Sequence, residues 1–266
     1  NIENTLIQNN ESSNKGAGIY IMTESVLNLE DSIISNNLSS SKGGGISIDN
    51  STVVLNNSSI TYNSSTDGGA INVSDGTVNI TNSIIENNFS SGEGGAINAV
   101  GNLSISDSYI NNNSANSNAG AINLINGVLT LDNTELVGNE ALNGTGGAIY
   151  IDYSTLIINN SIISDNNSQG NAGGIYGNQS SLSLTNVLVA NNEASVVGGG
   201  LYLAFSPVDI INSTIVNNSD DQDVGCGDGT GNYCGASNIW NAFSDTNIHN
   251  SIIWQGLPDE EWQGAG

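Results

Sequence analysis

The sequence predicts an all-β fold, a right-handed parallel β-helix in which about nine to ten rungs of roughly 26 residues stack along one axis. Three features predict it: an asparagine that recurs at a near-constant interval, apolar residues that alternate with polar ones, and polar links too short for a helix. The asparagine ends a phrase such as NSIIENN at residues 82–88, and it recurs after 27, 26, 25, 25, 26, 27, 26 and 26 residues. The recurring residues are Asn10, Asn37, Asn63, Asn88, Asn113, Asn139, Asn166, Asn192 and Asn218.

Each rung begins with a cluster of glycine and alanine, as in GGAI at residues 68–71, which leads into the first of three short predicted strands. Glycine is favoured where the backbone needs a positive φ or leaves no space for a Cβ, so the cluster predicts a corner. The strand continues in alternation, with Ile71 and Val73 on its inward face. Equivalent strands begin at Ile19, Ile46, Ile97, Ile149 and Leu201.

Two further strands complete the rung. The second carries a pair of inward residues, Val78 and Ile80, and the third carries one, Ile85, shortly before the recurring asparagine. A serine or threonine two residues before the third-strand aliphatic residue, Ser83 in this rung, is also expected to face inward. The asparagine is expected at a tight inward corner, where its amide bonds to the amides of neighbouring rungs and to the backbone.

Equivalent positions recur in the same direction, so each strand is expected to pair in parallel with its counterpart one rung away, and crossovers of that kind are right-handed. Stacking at about 4.8 Å per rung gives a rod of roughly 40–45 Å around an aliphatic bore. We expect a single domain over residues 1–266. Its predicted parts are regular rungs over 1–218, an insertion rich in Asp and Gly over 219–247, and a terminal rung over 248–266.

The charge balance restricts the possible partners. The chain has 26 acidic residues against two lysines, Lys15 and Lys42, and its formal net charge is −24. Such a surface repels nucleic acid and anionic lipid, and no apolar run reaches the roughly 20 residues of a membrane helix. We therefore expect neither nucleic-acid binding nor membrane insertion. The chain opens inside a repeat, at Ile2, which suggests a mature product or a piece of a longer protein.

The pairing of GGAI at residues 68–71 with IENN at residues 85–88 resembles the repeat of the chlamydial polymorphic outer-membrane proteins, in which Gly-Gly-Ala-Ile alternates with Phe-x-x-Asn. It is also similar to the repeats of secreted bacterial β-helix proteins. The resemblance covers about residues 1–254, with Ile in place of Phe. It implies a surface region, often adhesive, that a bacterium exports across its envelope, and it transfers no catalytic residues to this chain.

Carbohydrate-active enzymes also use β-helices, but the sequence offers them little. A lyase needs a strong base, normally Arg or Lys, beside a cation held by carboxylates, and both lysines lie in variable links. A hydrolase needs carboxylates roughly 5–9 Å apart, whereas Asp75 and Asp152 are three rungs, or about 14 Å, apart. The single histidine, His249, follows the long insertion. We expect no enzymatic activity.

One loop has the composition of a cation site. Residues 220–229 read DDQDVGCGDG and break the period. Calcium prefers oxygen ligands, although the spacing here matches no EF-hand, and a solvated acidic loop is the alternative. The chain requires no cofactor on this interpretation, and calcium is the one that the sequence suggests. The predicted ligands are Asp220, Asp221, Asp223 and Asp228, and the cysteines beside them, Cys226 and Cys234, are predicted to form a local disulfide rather than two free thiols.

Tyr150, Tyr176 and Tyr202 follow inward residues in three consecutive rungs and are expected to stack on the outer face, in the same column as Tyr20. Stacked rings stabilise a sheet in any case. A strip that binds sugars is the functional alternative.

These features, together with the resemblance, predict a non-enzymatic extracellular or cell-surface rod that displays loops as an adhesive or filament-forming component. Expected partners are further copies of the chain, stacked through open end rungs, other surface proteins, or glycans. The alternatives are a carbohydrate-binding module, assisted by calcium, and then a polysaccharide lyase or hydrolase.

Overall fold

A computed structural model describes residues 1–221 and 238–254, and these residues form a parallel β-helix built from three sheets. The predicted all-β parallel fold is thereby confirmed. Every strand pairs with its counterpart one rung away, and the register matches the sequence repeat: Val78 lies between Val53 and Leu103, and Ile85 lies between Ile60 and Ile110. Like side chains therefore stack directly over one another.

Sheet 1 has 15 strands and forms the broad face of the rod. In four rungs it holds a single continuous strand of 10 or 11 residues, and elsewhere the same path is divided into two. Its strands are Ile2–Glu3, Ile19–Met22, Val26–Glu30, Ile46–Asn56, Ile71–Thr81, Ile97–Ser106, Ile122–Asp132, Ile149–Asp152, Thr155–Asn159, Ile175–Asn178, Ser181–Thr185, Leu201–Ala204, Val208–Ile211, Ile239–Ala242 and Thr246–His249.

Sheets 2 and 3 close the rung with much shorter strands. Sheet 2 has ten strands: Leu6–Gln8, Ile33–Ser35, Ser59–Thr61, Ile84–Glu86, Tyr109–Asn111, Glu135–Val137, Ile162–Ser164, Leu188–Ala190, Thr214–Val216 and Ile252–Trp254. Sheet 3 has nine: Glu11–Ser12, Leu38–Ser39, Ser64–Ser65, Phe89–Ser90, Ser114–Ala115, Glu140–Ala141, Asn167–Ser168, Glu193–Ala194 and Ser219–Asp220.

The three strands of a rung are not the three that the sequence pattern suggested. The first two predicted strands, around Ile71 and Val78, belong to one bent strand of sheet 1. The third sheet instead runs through the polar link after the recurring asparagine, as at Ser64–Ser65. A strand of two residues has only one inward side chain, so its alternation was too short to stand out in the sequence.

The bore is aliphatic, as predicted. Residues of sheets 1 and 2 form one buried cluster that runs from Leu27 to Ile215, and Leu131 and Leu156 at its centre are fully buried. Burial of a side chain of this size contributes about 1.5–3 kcal/mol, so the cluster is a large favourable contribution to folding.

The recurring asparagines form a ladder at the corner between sheets 2 and 3, which is buried from Asn37 to Asn218 and exposed at Asn10. The backbone N–H and the Nδ2 of Asn88 both donate to Oδ1 of Asn113, each at 3.0 Å, and Asn113 donates in the same way to Asn139. Nδ2 of Asn88 also donates to the carbonyl oxygen of Ile60 in the rung below, at 2.9 Å. Each amide thus satisfies corner backbone groups that would otherwise be buried without partners.

Asn238 continues this ladder from outside the repeat register. Its Oδ1 accepts from the Nδ2 of Asn218 at 2.9 Å and from the backbone N–H of Asn218 at 3.3 Å. Asn238 directly precedes the strand Ile239–Ala242, in the column occupied by Gly200 one rung below. The span predicted as an insertion, residues 219–247, therefore contributes strands and a ladder residue to the rod.

Residues with positive φ mark the corners of each rung. In one rung they are Asp31 (φ 49°), Asn36 (φ 54°), Gly43 (φ 64°) and Asn50 (φ 44°). Gly, Asn and Asp tolerate this left-handed region best, which explains why the sequence is so rich in them. The residue after the left-handed glycine has a second constraint: a Cβ on Gly95 would lie 2.2 Å from the carbonyl oxygen of Gly120.

The ladder predicts a large loss of stability when one amide is removed. Asn113→Leu would leave the backbone N–H of Asn88 buried without a partner and would remove the hydrogen bonds from Nδ2 of Asn88 to residue 113 and from residue 113 to the carbonyl oxygen of Ile85, which should lower the free energy of unfolding by about 3–5 kcal/mol. Urea denaturation followed by circular dichroism measures the change. The matched control, Asn116→Ala, alters an exposed asparagine three residues away and should cost less than about 0.5 kcal/mol. Similar stability of the two variants would contradict the role assigned to the ladder.

Candidate functional site

The outer face of sheet 1 carries the side chains with the most distinctive chemistry. Two columns run along it. The first, here called the tyrosine column, contains Tyr20, Ser47, Asn72, Asn98, Asn123, Tyr150, Tyr176, Tyr202 and Trp240, which are register partners or continue that register. The second, here called the bend column, lies where the strand path of sheet 1 turns and contains Glu24, Asn50, Asp75, Asn126, Tyr153, Gln179, Phe205 and Phe243.

Three rings of the tyrosine column are stacked. Tyr150 and Tyr176 have centroids 4.9 Å apart and planes 2° apart, and Tyr176 and Tyr202 have centroids 5.0 Å apart and planes 4° apart. All three are half-buried, and Trp240 pairs with Tyr202 in the next rung. Because ring faces are covered by other rings, the stack contributes to sheet stability. Sugar binding by these three tyrosines stays a prediction.

Below the rings, the same column becomes a ladder of amides. Nδ2 of Asn98 donates to Oδ1 of Asn72 at 3.1 Å, and Nδ2 of Asn123 donates to Oδ1 of Asn98 at 2.7 Å. The link before the glycine corner folds over this ladder and brings Glu93 onto it, so that Nδ2 of Asn123 also donates to Oε2 of Glu93 at 3.1 Å. Asn72 and Asn123 are buried although they lie on the outer face.

Ionisation is shifted where carboxyl and phenol groups are covered. Burial, and then the negative charge of Asp67, raise the pKa of Glu93, against the hydrogen bonds from Asn118 and Asn123, which lower it. Burial, and then the charge of Asp152, raise the pKa of Tyr150 to about 12. Both shifts favour the neutral form, because a charge there loses solvation and meets negative neighbours.

Each lysine is paired with an aspartate. Nζ of Lys15 lies 2.7 Å from Oδ2 of Asp49, which also accepts a hydrogen bond from the Tyr20 hydroxyl at 2.6 Å. Lys42 pairs with Asp67 at 3.5 Å. The hydrogen bond to Asp49 is the largest contribution that raises the pKa of Lys15, so this amine stays protonated and is poorly suited to act as a base.

The carboxylates considered for catalysis do not converge. Asp75 lies in the bend column, with φ 59°, whereas Asp152 lies beside the tyrosine column, where Oδ1 accepts from Nδ2 of Asn178 at 2.7 Å. Although burial alone would raise the pKa of Asp49, the hydrogen bonds from Lys15 and Tyr20 lower it overall. Asp49 and Asp152 thus take part in an ion pair and in hydrogen bonds within the rod.

The predicted calcium loop is only partly described. Asp220 is buried, and its Oδ2 accepts from the backbone N–H of Gly198 at 3.0 Å, so this carboxylate has a structural bond within the rod. Asp221 is exposed. Asp223, Asp228, Cys226 and Cys234 lie outside the described residues, and residues 1–221 and 238–254 contain no group of three or more potential metal ligands. Calcium binding and the disulfide stay predictions.

The bend column is a surface feature that the sequence analysis missed. Its residues all have positive φ, and shallow concavities of about 500 Å³ and 530 Å³ lie along it, the first beside Glu24 and Asp75 and the second beside Tyr153 and Phe205. In the sequence, each residue of the column directly precedes a serine or a glycine, as Glu24 precedes Ser25 and Asp75 precedes Gly76. An alignment of the repeats on that serine or glycine would have revealed the column. The rung between those of Asp75 and Asn126 is one residue shorter and has no member of this column, because Gly101 is in register with Gly76 and Gly127.

Comparison with known proteins supports the predicted resemblance. Residues 31–49 match the family model of the Chlamydia polymorphic membrane protein repeat. This segment runs from the left-handed Asp31 through strands of sheets 2 and 3 and the glycine corner into sheet 1, so it spans most of one rung. The resemblance inferred from residues 68–88 is thereby confirmed. No curated protein matches the chain significantly.

The raised pKa of Glu93 predicts a pH-dependent stability. The folded state holds the proton more tightly than the unfolded chain, so the contribution of Glu93 to stability falls as pH rises above the unfolded pKa of about 4.3. Glu93→Gln should therefore raise the melting temperature at pH 7, and the difference from wild type should vanish near pH 4. Thermal melts between pH 4 and pH 8 measure it.

Glu86→Gln is the matched control, because it removes the same charge from sheet 2 and reports the general relief of acidic repulsion. The gain from Glu93→Gln should exceed that of the control at pH 7. An equal gain, or a larger gain at pH 4 than at pH 7, would contradict the assigned shift.

Proposed function

We propose that this chain is a non-enzymatic β-helix displayed on a bacterial surface, where it acts by adhesion. The repeat that matches residues 31–49 comes from a family of surface-associated membrane proteins. Stacked repeats of this kind form the three-sheet rod, which is a rigid scaffold for residues on its surface. The described residues include no helix of sufficient length and apolarity to cross a bilayer.

The observation that carries this proposal is the contrast between inward and outward positions of one strand. In sheet 2, consecutive rungs place Ile85, Ile110 and Leu136 inward, whereas the residues before them, Ile84, Tyr109 and Glu135, face outward. The interior is thus uniform and the exterior differs from rung to rung. A surface that varies on a constant scaffold is suited to recognition.

Catalysis is the less supported alternative. The two amines available as bases, Lys15 and Lys42, are held in ion pairs with aspartates. Calcium in the loop after Asp220 and self-association of the rod remain predictions from the sequence, and neither is needed for adhesion. A carbohydrate ligand is favoured by the exposed aromatic rings of the bend column, Tyr153, Phe205 and Phe243.

Surface display and adhesion are tested together on the cells that produce the chain. Fluorescent Fab fragments raised against residues 1–221 should label intact cells, and the unlabelled fragments should reduce attachment of those cells to their natural substratum several-fold. Attachment is counted under constant flow.

Fab fragments raised against an intracellular protein of the same cells provide the control and should leave attachment unchanged. Labelling that requires permeabilisation of the cells would contradict surface display. Labelling of intact cells without any effect on attachment would contradict the adhesive role.

A further inference from the structure

The bend column places aromatic residues where the backbone disfavours them. Tyr153, Phe205 and Phe243 have φ values of 47°, 50° and 62°. A bulky side chain in the left-handed region is strained, and most other positive-φ residues in the described chain are Asn, Asp or Gly. Asparagine serves the same position in other rungs, at Asn50 and Asn126. The fold therefore has no need of a ring at these three positions.

The rings also gain little from burial. Tyr153 is 56% exposed, Phe205 is 59% exposed and Phe243 is 84% exposed. Strain without compensating burial points to a role outside folding, because such residues persist where function requires them. Exposed aromatic rings on a rigid scaffold are characteristic of binding sites, where they provide contact area at little cost in side-chain entropy.

The column is interrupted by one rung, and the interruption forms a slot. Phe205 and Phe243 stack with centroids 5.3 Å apart and planes 12° apart, so the other face of Phe205 is turned toward the rung that carries Gln179. Tyr153 lies one rung further on. We call the site formed by Tyr153, Gln179 and Phe205 the aromatic slot; all three residues line the concavity of about 530 Å³, and the exposed side chain of Gln179 lies between the two rings in the column.

The width of the aromatic slot selects the kind of ring that fits. Tyr153 and Phe205 are two strand spacings, or about 9.6 Å, apart along the rod. A flat ring in contact with both walls needs twice the carbon–carbon contact distance, or about 7–8 Å. The remaining 1.5–2.5 Å, roughly, matches the added thickness of a puckered saturated ring with its axial hydrogens. Once the flexible, exposed side chain of Gln179 turns aside toward solvent, a pyranose therefore fills the slot better than a nucleobase or another planar ring.

The polar groups around the slot suit a neutral sugar. Thr155, Gln179 and Ser181 line it and supply hydroxyl and amide groups for hydrogen bonds, and no charged side chain lines it. The formal net charge of −24 disfavours an acidic polysaccharide, which the whole surface would repel. We infer that the aromatic slot binds a neutral pyranose unit of a surface glycan. This inference rests on the proposed adhesive function, for which it names the class of ligand.

The test measures binding of the purified chain to defined oligosaccharides by isothermal titration calorimetry. The probes are neutral hexamers of glucose, mannose, galactose and N-acetylglucosamine, an acidic hexamer of galacturonic acid, and adenosine as a planar ring. At least one neutral hexamer should bind, and it should bind at least ten-fold more tightly than the acidic hexamer and adenosine. Failure of all four neutral hexamers to bind would overturn the inference.

Two variants test the slot itself. Phe205→Asn removes one wall, and Gln179→Phe fills the gap with a ring of the kind that the next two rungs carry, so each should weaken binding at least ten-fold. The matched control is Tyr62→Asn, because Tyr62 is also left-handed (φ 56°) and 59% exposed but lies at a different corner. It should change the affinity less than two-fold. Wild-type affinity of both slot variants, or an equal loss in the control, would overturn the inference.

A stability measurement separates a binding defect from a folding defect. Phe205→Asn and Tyr62→Asn should melt at or above the wild-type temperature, because Asn tolerates positive φ better than an aromatic residue. A lower melting temperature for Phe205→Asn would show that the ring serves the fold instead. Absence of glycan binding by the wild-type chain, while Fab fragments still reduce attachment of the cells, would overturn the slot alone, and the adhesive function would stand.

Discussion

The hydrogen bonds of the buried asparagines constrain the rest of the rod. A parallel stack of aliphatic side chains specifies how tightly rungs pack, but apolar contacts are not directional and tolerate sliding. The amides are directional: Asn88 reaches both Oδ1 of Asn113 above it and the carbonyl oxygen of Ile60 below it. Because these groups are buried at a corner, a change in register would leave them without partners.

The constraint also separates the interior from the surface. Once the amide ladder and the glycine corner define each rung, outward residues are free to change without effect on the register. Sheet 1 shows the result, since one outer column passes from the amides of Asn72, Asn98 and Asn123 to the stacked rings of Tyr150 and Tyr176. Recognition can therefore be placed at any rung, and the exposed rings of the bend column occur in the later ones.

The repeat was enough to predict the parallel fold, the aliphatic bore and the inward asparagine corner, because each depends on a residue type repeated at one position. Asn238 escaped prediction because it enters the ladder from a different column, where glycine or alanine is the rule. The bend of sheet 1 could not be predicted because the residues of its column share a backbone conformation and not a residue type: Glu24, Tyr153 and Phe205 share only a positive φ. A chemical pattern reveals stacked side chains, whereas a shared backbone strain becomes visible only in three dimensions.

Native-state hydrogen exchange measured by NMR tests the central claim most directly. The backbone N–H and Nδ2 protons of Asn63, Asn88 and Asn113 donate to side-chain oxygens of the next rung and are buried. If these bonds hold the rungs in register, their protons should exchange only through global unfolding, with the same free energy as the slowest core amides. Exchange as fast as that of the exposed side-chain Nδ2 protons of Asn116 would show that the ladder opens locally, and the account would then be wrong.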